Sequence, residues 1–316
     1  MSASSRVEAA LPPPSSKIDR LGVAALIAGT AITAWSGVQA RFLDVGPLAG
    51  AAWRMGLAVP ALAAWMKFAE REKLGGAGLK GCVGLLILAG LAFAVDIGTF
   101  HISLTGTNVA NASFIGNIAP VFTVVGGALI FRERPTSRVW LALGCALVGA
   151  WVMAGMLAPA EIGFGDANAL ASAVGFAAYL LLIKRLREKL DGATATLWSA
   201  AAAAIALAVA AWLRGETMVP STALGWAIVV TLGVVTHAMG QGFTSVALGR
   251  APVALVALVI LAQPPFSALI AWGVLGEAMT ALQIAGGAVI LASVLLSGPP
   301  TAAPSPRCAP SETPRR

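Results

Sequence analysis

Residues 110–133 read ANASFIGNIAPVFTVVGGALIFRE, and residues 254–277 read ALVALVILAQPPFSALIAWGVLGE. The two stretches share one frame. Each opens on an alanine ten positions before a proline, Ala110 before Pro120 and Ala254 before Pro264. Each reaches a glutamate thirteen positions after that proline, Glu133 and Glu277, and each is followed by one last Gly/Ala-rich apolar run. Each is long and apolar enough to cross a hydrocarbon core of about 30 Å at about 1.5 Å per residue. Self-similarity at fixed spacing marks an internal repeat and has to be found before any other reading of the fold.

Working outward from these two stretches, the chain divides into ten apolar runs: 21–42, 47–67, 81–103, 108–131, 138–157, 167–185, 194–213, 222–246, 252–275 and 279–297. The stretches quoted above are the fourth and the ninth, so the repeat is five helices long. Five is odd, so the second copy must enter the membrane from the opposite side. The predicted fold is therefore all-α and integral to the membrane, ten transmembrane helices as two inverted five-helix repeats. The expected division is a polar lead over 1–20, a first repeat over 21–157, a second over 163–297 and a Pro-rich tail over 298–316. The lead and tail carry the composition of disordered segments.

Composition requires a bilayer. Apolar residues make up 58% of the 316, charged residues only 11%, and the mean hydropathy is +0.84. Soluble domains carry about 25% charged residues. The net charge of +7 does not imply nucleic acid, because the basic residues sit in short clusters between apolar runs. With the N-terminus inside and sides alternating, eighteen of the 21 Lys and Arg fall on one side, only Arg41 and Arg214 on the other, and Arg54 within a helix. The positive-inside rule then puts both termini in the cytoplasm and the protein in the cell (inner) membrane. A rival reading makes the first run a cleaved leader, with Val38-Gln39-Ala40 as the cleavage site. Its removal would leave an odd number of helices.

The connections are too short for a soluble domain, so the chemistry must lie inside the bundle. Cys82, Cys145 and Cys308 have no metal-ligand spacing and read as core or tail residues. HExxH, GxSxG and Walker motifs are absent, which argues against an enzyme and against ATP hydrolysis. No cofactor or metal is expected. A channel would not need inverted halves with proline-broken helices, whereas secondary transporters have them.

At these residues the sequence resembles the drug/metabolite transporter superfamily, in particular its ten-helix members with two EamA domains. The resemblance covers roughly 21–297. It rests on Ala34-Trp35-Ser36-Gly37, on Trp53-Arg54-Met55, and on Thr107-Asn108-Val109-Ala110-Asn111-Ala112 leading to Pro120 and Glu133. It continues through Tyr179 with Lys184-Arg185 and the second copy from Pro264 to Glu277. The resemblance implies export of small metabolites, often amino acids, by alternating access. One departure is that nothing in the second repeat matches Arg54. The first run also lacks the acidic residue that the small-multidrug branch uses to bind cations and protons.

Polar groups inside the membrane are the candidate site, because charge in hydrocarbon is costly. Arg54 and Asp96 lie at similar depth on consecutive antiparallel helices and are expected to form an ion pair with a structural or gating role. His101, near a helix end, is a second gating candidate. His237 can change charge near neutral pH, and with Gln241 four residues on it is expected to face a cavity. Asn111, Asn117 and Gln263 precede the prolines, which free backbone carbonyls and bend the axis, so Pro120 and Pro264 are candidate hinges. Trp35 and Tyr179, well inside the helices that open the two repeats, are expected to form an aromatic wall. The expected partners are the lipid bilayer and a small molecule, an amino acid, with the chain a monomer or homodimer.

Overall fold

The computed structural model describes residues 20–40, 42–65, 79–103, 105–107, 109–154, 163–276 and 278–296. The described residues are helical throughout, with no strand among them. The helices are α1 (Arg20–Ala34), α2 (Ser36–Ala40), α3 (Pro47–Trp65), α4 (Val83–Ser103), α5 (Val109–Gly116), α6 (Ala119–Ile130) and α7 (Ser137–Ala154). They continue as α8 (Phe164–Leu186), α9 (Gly192–Leu213), α10 (Ala223–Thr231), α11 (Gly240–Leu248), α12 (Val253–Ile260), α13 (Gln263–Leu275) and α14 (Ala281–Leu296). A π-helical segment, Leu232–Met239, joins α10 to α11.

Among the described residues, seven stretches are long and apolar enough to cross a membrane: Leu21–Gln39, Lys80–Ser103, Ser137–Ala154, Phe164–Leu186, Gly192–Leu213, Ala223–Leu248 and Val253–Leu275. Phe114–Ile130 and Ala281–Leu296 are shorter apolar helices. Pro47–Trp65 is helical over 19 residues and carries Arg54 and an internal Pro60. The outer faces expose large apolar side chains such as Leu129, Ile205, Trp212 and Leu295, as lipid contact requires. Glu277 and the segments before residue 20 and after residue 296 lie outside the described residues.

The two prolines of the repeated stretch do not sit in continuous helices. Helix α5 is 8 residues long and ends at Gly116, and α6 resumes at Ala119. Helix α12 is also 8 residues long and ends at Ile260, and α13 resumes at Gln263. At each break two i→i−3 bonds tighten the chain, Ile118 to Ile115 and Val121 to Ile118 in one copy, Leu261 to Leu258 and Ala262 to Val259 in the other. Pro120 and Pro264 therefore occupy the first turn of a new helix, where a missing N–H is no loss.

Helix α4 packs on α8 and α9, α3 on α9 and the π segment, α1 on α11, and α7 on α14. Glycine permits two close approaches. A methyl on Gly175 of α8 would meet the Asp96 backbone nitrogen at 2.8 Å and the Ala92 carbonyl at 2.9 Å. A methyl on Gly149 of α7 would stand 2.7 Å from the carbonyl of Gly286 on α14.

Polar clasps join the first half to the second at both ends of the bundle. At the α2–α3 end, Glu216 accepts from the N–H groups of Leu48 and Ala49 at 2.8 and 3.0 Å, a carboxylate on a helix N-terminus. There Asp44 accepts from the N–H and hydroxyl groups of Ser221 and Thr222, which holds its carboxyl below the ordinary 3.8. Trp53 Nε1 donates to the Met218 carbonyl at 2.6 Å, and its ring meets Trp226 edge-on. At the opposite end, Glu133 pairs with Lys184 at 3.1 Å and accepts from Val253 N–H at the start of α12. Lys184 also donates to the Ala251 carbonyl at 3.0 Å.

Candidate functional site

The interior between α3, α4, α8 and the π segment collects the intramembrane charges and the aromatics. On α8, Ser172, Gly175, Phe176 and Tyr179 recur at spacings of three and four, so they share one face. That face meets α4 in register. Ser172 Oγ donates to Asp96 Oδ1 at 2.7 Å, and Gly175 admits the α4 backbone beside Asp96. One turn further along, Tyr179 stacks on Phe93 with centroids 4.1 Å apart and planes 12° apart. Phe176 stands 6.4 Å from Tyr179, and His237 lies 5.3 Å from Phe93.

Arg54 projects from α3 toward this cluster. It is within electrostatic reach of Asp96, Tyr179, His101 and His237. The expected ion pair with Asp96 is not formed, because no nitrogen–oxygen approach within 4.0 Å joins the two side chains. The reason is packing order. Helices α3 and α4 meet where His101 reaches the Pro47 carbonyl, but each packs far more extensively on α9. Asp96 turns instead to Ser172, and Arg54 Nε is buried without a hydrogen-bond partner.

His237 is fully buried, and neither ring nitrogen has a partner. Gln241, 5% exposed, likewise keeps a buried, unpartnered Oε1. Between them the chain passes from π to α geometry. π segments cluster at functional positions in helices. Buried polar atoms without partners are rare enough that each asks for an explanation.

The other sequence candidates lie elsewhere. His101 Nδ1 is 2.8 Å from the Pro47 carbonyl and so ties the end of α4 to the start of α3. Trp35 is the non-helical link between α1 and α2, and no ring contact joins it to Tyr179. The expected wall of Trp35 and Tyr179 is replaced by one of Phe93, Phe176 and Tyr179, because Trp35 belongs to helices packed on α11, α13 and the π segment. Asn117 stands half-buried in the α5–α6 break. Asn111 lies in α5, with its side chain outside the described residues. Gln263 Nε2 donates to Thr33 Oγ1 at 2.6 Å and so ties the α12–α13 break to α1.

Sequence reasoning missed Phe93, Ser172 and Gln39. Phe93 sits three residues before Asp96, one turn away on the same face, and Ser172 belongs to the small-polar stripe that ends at Tyr179. Gln39 donates to Thr231 at 2.8 Å and accepts from Thr236 at 2.7 Å, joining α2 to α10 and the π segment.

A surface depression of about 500 Å³ is not this site. It is an apolar groove on the outer face between α4 and α8, lined by Ala92, Val95, Ala171 and Val174.

The EamA-like transporter family model matches the chain twice, over residues 20–155 and 163–298. An uncharacterized transporter of Archaeoglobus fulgidus is 28% identical over 209 residues, 64% of this chain and 72% of that protein. The pseudopaline exporter CntI of Pseudomonas aeruginosa is 25% identical over 214 residues, 67% of this chain and 74% of that protein. Protein RarD of Streptomyces exfoliatus is 27% identical over 222 residues, 68% of this chain and 67% of that protein. A solved crystal structure shares the fold at a TM-score of 0.73 and 20% identity, covering 87% of this chain and 98% of its own.

Proposed function

The chain belongs to the EamA-like transporter family, a multi-pass membrane transporter and not an enzyme, and we propose that it exports small metabolites, specifically amino acids, by alternating access. In this reading residues 21–157 and 163–297 are two inverted five-helix repeats, and ten helices cross the inner membrane with both termini in the cytoplasm. The matched breaks before Pro120 and Pro264 support the repeat, since each lies at the same place in its stretch. Irregular backbone at membrane depth is tolerated only where it is buried in protein or lines a cavity, and secondary transporters use such breaks at the substrate site.

The observation that carries the reading is the set of orphaned polar atoms in an otherwise apolar interior: Arg54 Nε, both nitrogens of His237 and Gln241 Oε1. Water-filled or substrate-filled, that interior would satisfy them. Clasps at both ends, Glu216 and Asp44 at one and Glu133 with Lys184 at the other, suit a closed state from which either end could open. A relative named as a pseudopaline exporter, matched over two thirds of the chain, supports the export reading.

The test is uptake by the purified chain in liposomes against a panel of labelled amino acids, with and without a pH gradient. Saturable uptake that unlabelled competitor blocks is the expected result. Absence of uptake for every amino acid, in protein shown to be folded and inserted, overturns the amino-acid reading.

A further inference from the structure

Arg54 and Asp96 are opposite charges held in one apolar interior and yet kept apart. Each has a reason to be unsatisfied. Arg54 Nε is buried with no partner. Asp96 receives one hydrogen bond, from Ser172 at Oδ1, which leaves Oδ2 available. The two act on each other electrostatically without meeting within 4.0 Å. In a low-dielectric interior, a buried charge without a partner is strongly disfavoured. Opposite charges that face one interior without meeting leave each other uncompensated, and a molecule carrying the complementary pair of charges completes both at once.

We propose that Arg54 and Asp96 are the two poles of a subsite for a molecule with a carboxylate beside an ammonium, Arg54 receiving the carboxylate and Asp96 the ammonium. The guanidinium presents a planar fork of donors that matches a carboxylate. Asp96 is an acceptor whose orientation Ser172 fixes. The apolar remainder of the ligand lies against Phe93 and Tyr179, and His237, buried and unpartnered, stands 5.3 Å from Phe93. This subsite rests on the export reading above and assigns its specificity to two side chains.

The probes are phenylalanine, phenethylamine, which lacks the carboxylate, and 3-phenylpropionate, which lacks the ammonium. Binding of each to the purified full chain in detergent is measured by titration calorimetry, with circular dichroism and gel filtration as folding controls. The unaltered protein is expected to bind phenylalanine at least about tenfold more tightly than either analogue, since a site left with an unpaired polar group rejects the ligand that lacks its match. Arg54→Gln should bring phenylalanine down to the affinity of phenethylamine, and Asp96→Asn should bring it down to that of 3-phenylpropionate. A folded variant that keeps the preference it was made to abolish overturns the proposal. Should a variant fail to fold, the ligand series on the unaltered protein decides, and equal affinity for all three probes overturns the proposal. If none of the three binds while liposomes still transport a metabolite without this charge pattern, the subsite is wrong and the transporter reading stands. If none binds and no amino acid is transported, both fall.

Discussion

Glu133 and Lys184 form the clasp at one end of the bundle, and removing either charge should loosen it by a calculable amount. The carboxylate and ammonium are 3.1 Å apart, with side chains only 18% and 19% exposed. At an effective dielectric of about 20, charges at that distance attract by about 5 kcal/mol before desolvation. Desolvation of both ions and the remaining water contact reduce this to a net coupling of about 2 kcal/mol, between the values for exposed and for fully buried pairs. Glu133→Gln keeps an oxygen for Val253 N–H but puts an amide where Oε2 now has no partner, so its expected loss is about 2–3 kcal/mol. Lys184→Met retains an apolar stem beside Phe131 and leaves Glu133 at the N-terminus of α12, whose dipole favours an anion, so its loss should be smaller, about 1–2 kcal/mol. The double variant should lose less than the two losses combined, by about 2 kcal/mol. The assay is reversible unfolding of the four proteins in mixed micelles with increasing sodium dodecyl sulfate, followed by circular dichroism. Losses that add within about 0.5 kcal/mol would refute the coupling and with it the view of this contact as a clasp.

Two further outcomes follow from the packing and from the other end. Asp44 has a folded-state pKa below its ordinary 3.8 because Thr222 and Ser221 donate to it, so its contribution is present above that ordinary value and is lost as pH falls through the lower folded value. Asp44→Asn should therefore be less stable than the parent at neutral pH, and melting curves of the two in detergent should converge as the solution is acidified through that window. Gly175→Leu would drive a side chain into the α4 backbone beside Asp96, and overpacking of this kind should lower stability by about 1–3 kcal/mol in the same unfolding assay. A leucine tolerated without loss would mean that α4 and α8 are not in close contact there.

The sequence made the apolar runs and the matched prolines legible because both are local signals: apolar length sets a span, and a proline cannot continue a helix through its own N–H. The breaks duly fall three residues before Pro120 and Pro264. Pairing was not legible. Arg54 and Asp96 lie at similar depth on consecutive helices, and depth is a local quantity, but whether they touch depends on how α3, α4, α8 and α9 are set against one another, which no spacing along the chain records. The π segment left no mark either, since Leu232–Met239 has an ordinary apolar composition. Gln39 was readable only as part of a small-residue pattern, and its bonds to Thr231 and Thr236 appear only once α2 is laid against the π segment. Phe93 shows the converse. An apolar residue in an apolar run carries no signal until the register of α4 on α8 sets it against Tyr179.

The way this bundle satisfies its polar groups separates structure from site. Thr30, Thr33, Thr123, Ser199, Thr244 and Ser293 are all buried, and each hydroxyl donates to a carbonyl three or four residues back in its own helix. Short polar side chains can therefore be carried in the membrane at little cost without any partner helix. Arg54, His237 and Gln241 are too long to be satisfied that way, and each keeps a buried polar atom with no partner, as does the shorter Thr196 on α9. An unsatisfied buried group costs about 1–3 kcal/mol, and apolar replacements at those three positions would remove the penalty. Their presence is explained if the missing partners arrive with a ligand or in another arrangement of the halves. Two voids among the described residues do not reach this interior: the one near Leu62, Trp65 and Gly242 has no room for water, and the groove between α4 and α8 opens on the outer face. In the proposed alternating-access cycle, entry to the polar interior would require one clasp to open, and the orphaned atoms would give the rearranged state the interactions that this one lacks.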